Sequence, residues 1–129
     1  MRLLLDTHAL LWFAAGAGDR LPRRVREAID DPANRTLVSA ASAWEIATKA
    51  RRGKLAAGAL ATDFVARVRG AGFRVIPVQA QDAQDSGALP GPHGDPFDRM
   101  LVAQALRRDL TLVSNEEVFD AFGVARLWA

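Results

Sequence analysis

The sequence predicts an α/β fold, a single three-layer domain with a central parallel sheet of four to five strands flanked by helices. Three observations predict it. Short apolar runs near residues 2–5, 36–39, 73–78 and 110–114 have the length and composition of buried strands. Between them lie longer stretches whose apolar residues recur at helical spacing. Strands and helices that alternate in this way form parallel sheets covered on both faces.

Taken in order, residues 2–5 give the first strand, which ends on Asp6-Thr7-His8. Residues 9–15 read as one or two helical turns, stopped by Gly16 and Gly18. Asp19 can cap the next segment, and Pro22 sits where a helix start tolerates it. Val25 and Ile29 give that helix an inward face, and Asp31-Pro32 ends it. Residues 36–39 are the second strand. Ser42 is the expected cap of the helix after it, because Glu45 stands three residues on at capping-box spacing. Gly53 closes that helix, and a further one is expected over 59–70 from Leu60, Phe64, Val65 and Val68.

Residues 73–78 form the third strand, rich in β-branched side chains. A polar stretch follows, then a loop over 89–96 dense in glycine and proline. A helix is expected over 97–108, a fourth strand over 110–114, a short helix over 116–122 and an edge strand over 124–128. Trp12, Trp44 and Trp128 read as core residues, given their apolar neighbours.

A length of 129 residues suits one domain over 1–129, and half the residues are hydrophobic. With no cysteine and only His8 and His93, thiolate and histidine-rich metal sites are excluded. Any bound metal must rest on oxygen ligands, which points to magnesium or manganese. Asp6 interrupts the N-terminal apolar run, so no secretory signal and no membrane segment are expected, and the protein reads as cytoplasmic. Net charge is +2, but the seventeen basic residues include only Lys49 and Lys54 as lysines. Arginine's fork suits phosphate, although an arginine- and alanine-rich chain also follows from a GC-rich coding sequence.

In an open α/β sheet, ligands collect beyond the carboxyl ends of the strands. Asp6 follows the first strand, Glu45 lies in the helix after the second, and Asp95 and Asp98 open the helix before the fourth. Ser114, Asn115 and Glu116 follow the fourth strand. Each acid has an ordinary reading as a turn former, cap or first-turn residue. Together, four segments deliver carboxylates to one end of one sheet. Such a cluster repels itself unless protons or divalent cations are present. It suits hydrolysis of a phosphodiester. Arg51, Arg52 and Lys54 form a basic cluster able to steer RNA, or simply a solvated face. His8 and His93 read as hydrogen-bonded structural residues, with a proton-carrying role as the alternative.

Four segments together resemble the PIN-domain family, and within it the VapC-like toxin ribonucleases of toxin–antitoxin pairs. They are Leu-Leu-Leu-Asp-Thr-His-Ala-Leu-Leu-Trp at 3–12, Ser-Ala-Ala-Ser-Ala-Trp-Glu-Ile-Ala-Thr-Lys at 39–49, Asp-Pro-Phe-Asp-Arg-Met-Leu-Val-Ala-Gln-Ala at 95–105 and Leu-Val-Ser-Asn-Glu-Glu-Val-Phe at 112–119. The resemblance implies a Mg2+- or Mn2+-dependent endoribonuclease, held inactive by a cognate antitoxin and commonly a homodimer. It implies Asp6, Glu45 and Asp98 as the first three acids, Asp95 as a helper at the metal, and Thr7 and Ser114 as supporting hydroxyls. The family's fourth acid is usually an aspartate, where this chain has Glu116. Hydrolysis by a metal-activated water follows, with no covalent enzyme intermediate. The alternatives are a catalytically weak PIN-like nucleic-acid-binding module and a DNA-directed or structure-specific nuclease. A phosphate-receiver domain is disfavoured, because Lys49 and Lys54 lie in the wrong region for one.

Overall fold

The computed structural model describes residues 1–129, Gly18 by its backbone alone. Five strands, β1 (Arg2–Leu5), β2 (Arg35–Ser39), β3 (Arg74–Ile76), β4 (Thr111–Val113) and β5 (Arg126–Leu127), form one sheet in the order β3-β2-β1-β4-β5. Every pairing is parallel. The α/β fold and its parallel sheet therefore stand as the sequence predicts, with β5 on the edge.

Helices α1 (Thr7–Ala14), α2 (Arg23–Asp30), α3 (Ala40–Arg51), α4 (Phe64–Gly70), α5 (Ala80–Ala88) and α6 (Pro96–Arg108) connect the strands. Strand side chains alternate between faces, and β1 shows the result. Leu3 and Leu5 enter one core with Ala9, Val25, Ile46 and Val68, drawn from the first four helices. Leu4 enters the other with Leu101, Val102, Ala105 and Phe119. A strand buried on both faces needs a continuous apolar run, which explains the three successive leucines. Among the described residues no helix is long and apolar enough to cross a membrane.

Four local expectations are corrected. The helix expected to start at Ser42 starts at Ala40, capped by Ser39, whose hydroxyl accepts from the Ala41 N–H at 3.0 Å. Ser42 thus lies inside α3, and the Ser42/Glu45 capping box does not form. The helix expected over 59–70 is a 3-10 turn, Gly58–Ala61, followed by the separate α4, and Val65 is exposed. The polar stretch after β3 is helical: Gln79 and Asp82 form a capping box at the start of α5. Its buried residues are Asp82 and Ser86, so its inner face is polar and invisible to hydrophobic periodicity. Asp82 meets Arg107 and Arg108 of α6 at 3.0 and 2.8 Å, and this ion pairing replaces the apolar stripe. Trp44, expected in the core, is 61% exposed.

Candidate active site

The strand-end acids converge because the parallel strands all end on the same side. Asp6 leaves β1 and caps α1, its Oδ1 accepting from the Ala9 N–H at 2.8 Å. Its own N–H donates to Val113 O of β4 at 3.0 Å, extending the sheet by one rung. The side chain is buried, and the Ser114 hydroxyl acts on it. Burial pushes the Asp6 carboxyl above the usual carboxylate range and Glu116 adds to this. Ser114, the Ala9 N–H and His8 oppose the shift.

Glu45 is buried in the second turn of α3. Its Oε1 accepts from the Thr7 hydroxyl at 2.5 Å and its Oε2 from Lys49 Nζ at 2.5 Å. Thr7 Oγ1 also lies 3.1 Å from Ser42 Oγ, so α1 and α3 are joined by polar contacts next to Glu45. Lys49, one turn on, feels Asp95 and Asp98 as well as Glu45. Sequence reasoning gave Lys49 no role at the acids; its signal was the i, i+4 spacing from Glu45.

Asp95 caps α6, accepting from the N–H groups of Phe97 and Asp98 at 2.9 and 3.0 Å. Asp98 is then presented in the first turn. Trp44 of α3 meets Phe97 of α6 edge-on, ring centroids 4.7 Å apart, so the helices carrying Glu45 and Asp98 are packed together at this end. Burial raises the Asp98 carboxyl to about 6, helped by Asp95, Glu116 and Glu45 and opposed by His93. His93 Nε2 stands 2.8 Å from Asp98 Oδ2.

His93 rides on the loop before α6, and Arg99 holds that loop. The guanidinium donates to the carbonyls of Ser86 at 3.2 Å, His93 at 2.9 Å and Leu89. Arg99 was also missed in the sequence, because its partners are backbone oxygens that no motif spacing reveals. Glu116 follows Ser114, whose hydroxyl accepts the Glu116 N–H at 3.0 Å.

Asp6, Glu45, Asp95, Asp98 and Glu116 thus share one electrostatic neighbourhood. They do not stand as a ready metal cage: among the described residues no three histidine, aspartate or glutamate side chains are gathered closely enough to hold an ion. Arg51, Arg52 and Lys54 lie at or just beyond the other end of α3, exposed, with Arg52 roughly 10 Å along the helix axis from Glu45. His8 is exposed, its ring 5.8 Å from that of Trp12.

A PIN domain family model matches residues 3–125 of the chain. No curated protein sequence matches it. Among solved structures, DNA-bound VapBC from Salmonella typhimurium superposes with a TM-score of 0.70 at 21% identity, covering 98% of this chain and 97% of that one. VapBC2 from Rickettsia felis, bound to a promoter DNA fragment, gives 0.68 at 17% identity over 100% of both chains. VapC20 from Mycobacterium tuberculosis, a sarcin-ricin-loop-cleaving toxin, gives 0.65 at 18% identity over 98% and 99%. At these identities the likeness is one of fold.

Proposed function

The chain belongs to the PIN-domain family, and from that premise we propose that it is a metal-dependent endoribonuclease, the toxin of a toxin–antitoxin pair. Residues 1–129 are taken as one PIN domain acting in the cytoplasm. The observation that carries the reading is the mutual electrostatic burden of the acids: burial raises Asp6 and Asp98, and neighbouring carboxylates raise them further. Buried like charges are tolerated where an external cation neutralises them.

The donors suit a hard ion. Asp6, Glu45 and Asp98 offer carboxylate oxygens, with Asp95 and Glu116 beside them, and the chain has no thiolate to compete. We assign Asp6, Glu45 and Asp98 to Mg2+ or Mn2+, and Glu116 and Asp95 to the ion's edge. When bound, the ion supplies charge neutralisation and a more acidic water. The chain's own groups do the positioning. Thr7 and Lys49 fix the two oxygens of Glu45, Ser114 supports Asp6 and the Glu116 backbone, and His93 restrains Asp98. Glu116 reaches one methylene further than an aspartate would.

RNA is the proposed substrate and a cognate antitoxin the proposed partner, with a homodimer as the working assembly. The solved relatives include VapBC complexes and an RNA-cleaving VapC, which supports this choice. A groove of about 840 Å³ lined by Leu11, Trp12, Phe13, Leu55, Leu60 and Val68 offers an apolar bed for a partner segment. The test is RNA cleavage with and without Mg2+ or Mn2+, comparing wild type with Asp6→Asn. Metal-dependent cleavage lost in the variant is the expected result. No cleavage of any RNA by antitoxin-free protein overturns it, and returns the reading to a weak PIN-like binding module, with Glu116 the first suspect. Preference for DNA over matched RNA moves it to the DNA or structure-specific nucleases.

A further inference from the structure

The arginine excess is not absorbed by the acid cluster. Part of it gathers at the opposite end of the sheet. A groove of about 730 Å³ is lined by Arg2, Arg35, Arg74 and Arg108, over apolar residues that include Leu37 and Ile76. Arg2 starts β1 and pairs in register with Arg35, which starts β2, while Arg74, which starts β3, pairs with Leu37. Residues two apart on a strand share a face. Arg2, Arg35 and Arg74 therefore lie on the same face of three adjacent strands, the face that α6 covers.

These cations are not spent within the fold. Among the described residues, Arg2, Arg35 and Arg74 form no ion pair with any carboxylate. Arg108 is bound to Asp82, and Arg2 donates to the carbonyl of Arg108, so two of the four are held in place by the fold. Asp30 and Asp31 stand along the same groove. They repel any polyanion along that part of the groove, so a bound backbone lies on the side of Arg2, Arg35 and Arg74. Arg2 and Arg35 stand on neighbouring strands about 4.8 Å apart, with Arg74 on the third strand two residues further along, and their planar forks suit phosphate oxygens.

We propose that this groove is a second nucleic-acid site, which grips the sugar-phosphate backbone of single-stranded RNA at the end of the sheet remote from the acids. The choice of RNA rests on the nuclease reading; the anion site itself does not. Along β1, Arg2 and Asp6 are roughly 13 Å apart. A strand long enough to span both ends is held at two places, and a short fragment at one.

The test is fluorescence anisotropy of a labelled single-stranded RNA oligomer on the full chain carrying Asp6→Asn, so that binding is read without cleavage. Adding Arg35→Glu with Arg74→Glu is expected to weaken binding about tenfold or more. Adding Arg35→Gln with Arg74→Gln is expected to flatten the slope of log affinity against log salt by about 1.4, for two phosphate contacts on a single strand. All four substitutions are at exposed strand starts, and unchanged melting temperatures establish that the variants fold. Binding and slope identical to the parent overturn the proposal. So does tighter arginine-dependent binding of duplex DNA or polyglutamate, which assigns the groove to those partners. If the RNA binds through the arginines but wild type cleaves none, the groove stands and the nuclease reading falls. If wild type cleaves and the arginines are silent, the reverse holds.

Discussion

His93 Nε2 lies 2.8 Å from Asp98 Oδ2, and the loop that carries His93 is tied through Arg99 to the helix that carries Asp98. The contact brings together residues five apart in sequence. The acid that burial and its neighbours push furthest towards protonation thus has a partner held against it by a third side chain.

Asp98 sets a pH dependence. Its folded value, about 6, lies above that of an unfolded aspartate, so the folded state binds more protons between about pH 4 and pH 6. Metal-free protein is expected to lose stability as pH rises through that window and to level off above it. Asp98→Asn should reduce the slope, leaving the share that Asp6 contributes, and raise neutral-pH stability by up to about 3 kcal/mol. Thermal melts in EDTA from pH 4 to 8 check this. A wild-type profile with no such fall refutes the electrostatic account of the site.

Asp82 has the opposite sign. Burial alone would raise it, but Arg108, the Gln79 N–H, Arg107 and Gln104 outweigh burial and hold it well below the usual range. Its contribution is complete above the unfolded value near 4, and is lost as pH falls through and below that value. Asp82→Asn is expected to cost about 3 kcal/mol, since it leaves two part-buried arginines unpaired. Urea melts at neutral pH measure it. A cost under 1 kcal/mol would show that α5 does not depend on this ion pairing.

Thr7→Val keeps the shape of Thr7 and removes the hydroxyl that Glu45 accepts at 2.5 Å. The expected cost is roughly 2 kcal/mol, typical of a lost hydrogen bond to a charged group. Under the nuclease reading, Mn2+ affinity should fall as well. Calorimetric titration and denaturant melts report the two effects separately, and Thr7→Ser should restore most of both.

Glu116→Asp shortens the fourth acid by one methylene. If Glu116 holds an ion loosely, Mn2+ affinity should rise, within about an order of magnitude, while the melting temperature of the metal-free protein barely moves. Weaker Mn2+ binding in the aspartate variant would show that the glutamate's reach is needed here.

Strand positions were legible because a strand buried on both faces demands an uninterrupted apolar run, as Leu3, Leu4 and Leu5 provide. The cap at Asp95 follows from residue type next to a helix start, whereas Asp6 was legible as a turn former after β1 and not as the cap of α1. Helix α5 was not legible. Its inner face is Asp82 and Ser86, and Asp82 is paired with arginines about 25 residues away. Ser39 took the cap expected of Ser42 because α3 begins directly at the end of β2, a choice that local spacing leaves open.

For the candidate site, the sequence by itself put an acid after each relevant strand, since parallel connections send every strand's carboxyl end the same way. The tertiary structure decided the rest. The order β3-β2-β1-β4-β5 sets which acids become neighbours. The packing of Trp44 on Phe97 draws α3 and α6 together. Arg99 joins the site only through backbone carbonyls of the preceding loop, which no motif spacing reveals, whereas Lys49 stands at i, i+4 from Glu45 on the same helix. Periodicity and capping act over a few residues and are written in the chain; pairing between distant segments depends on sheet register and helix packing, which no single segment encodes.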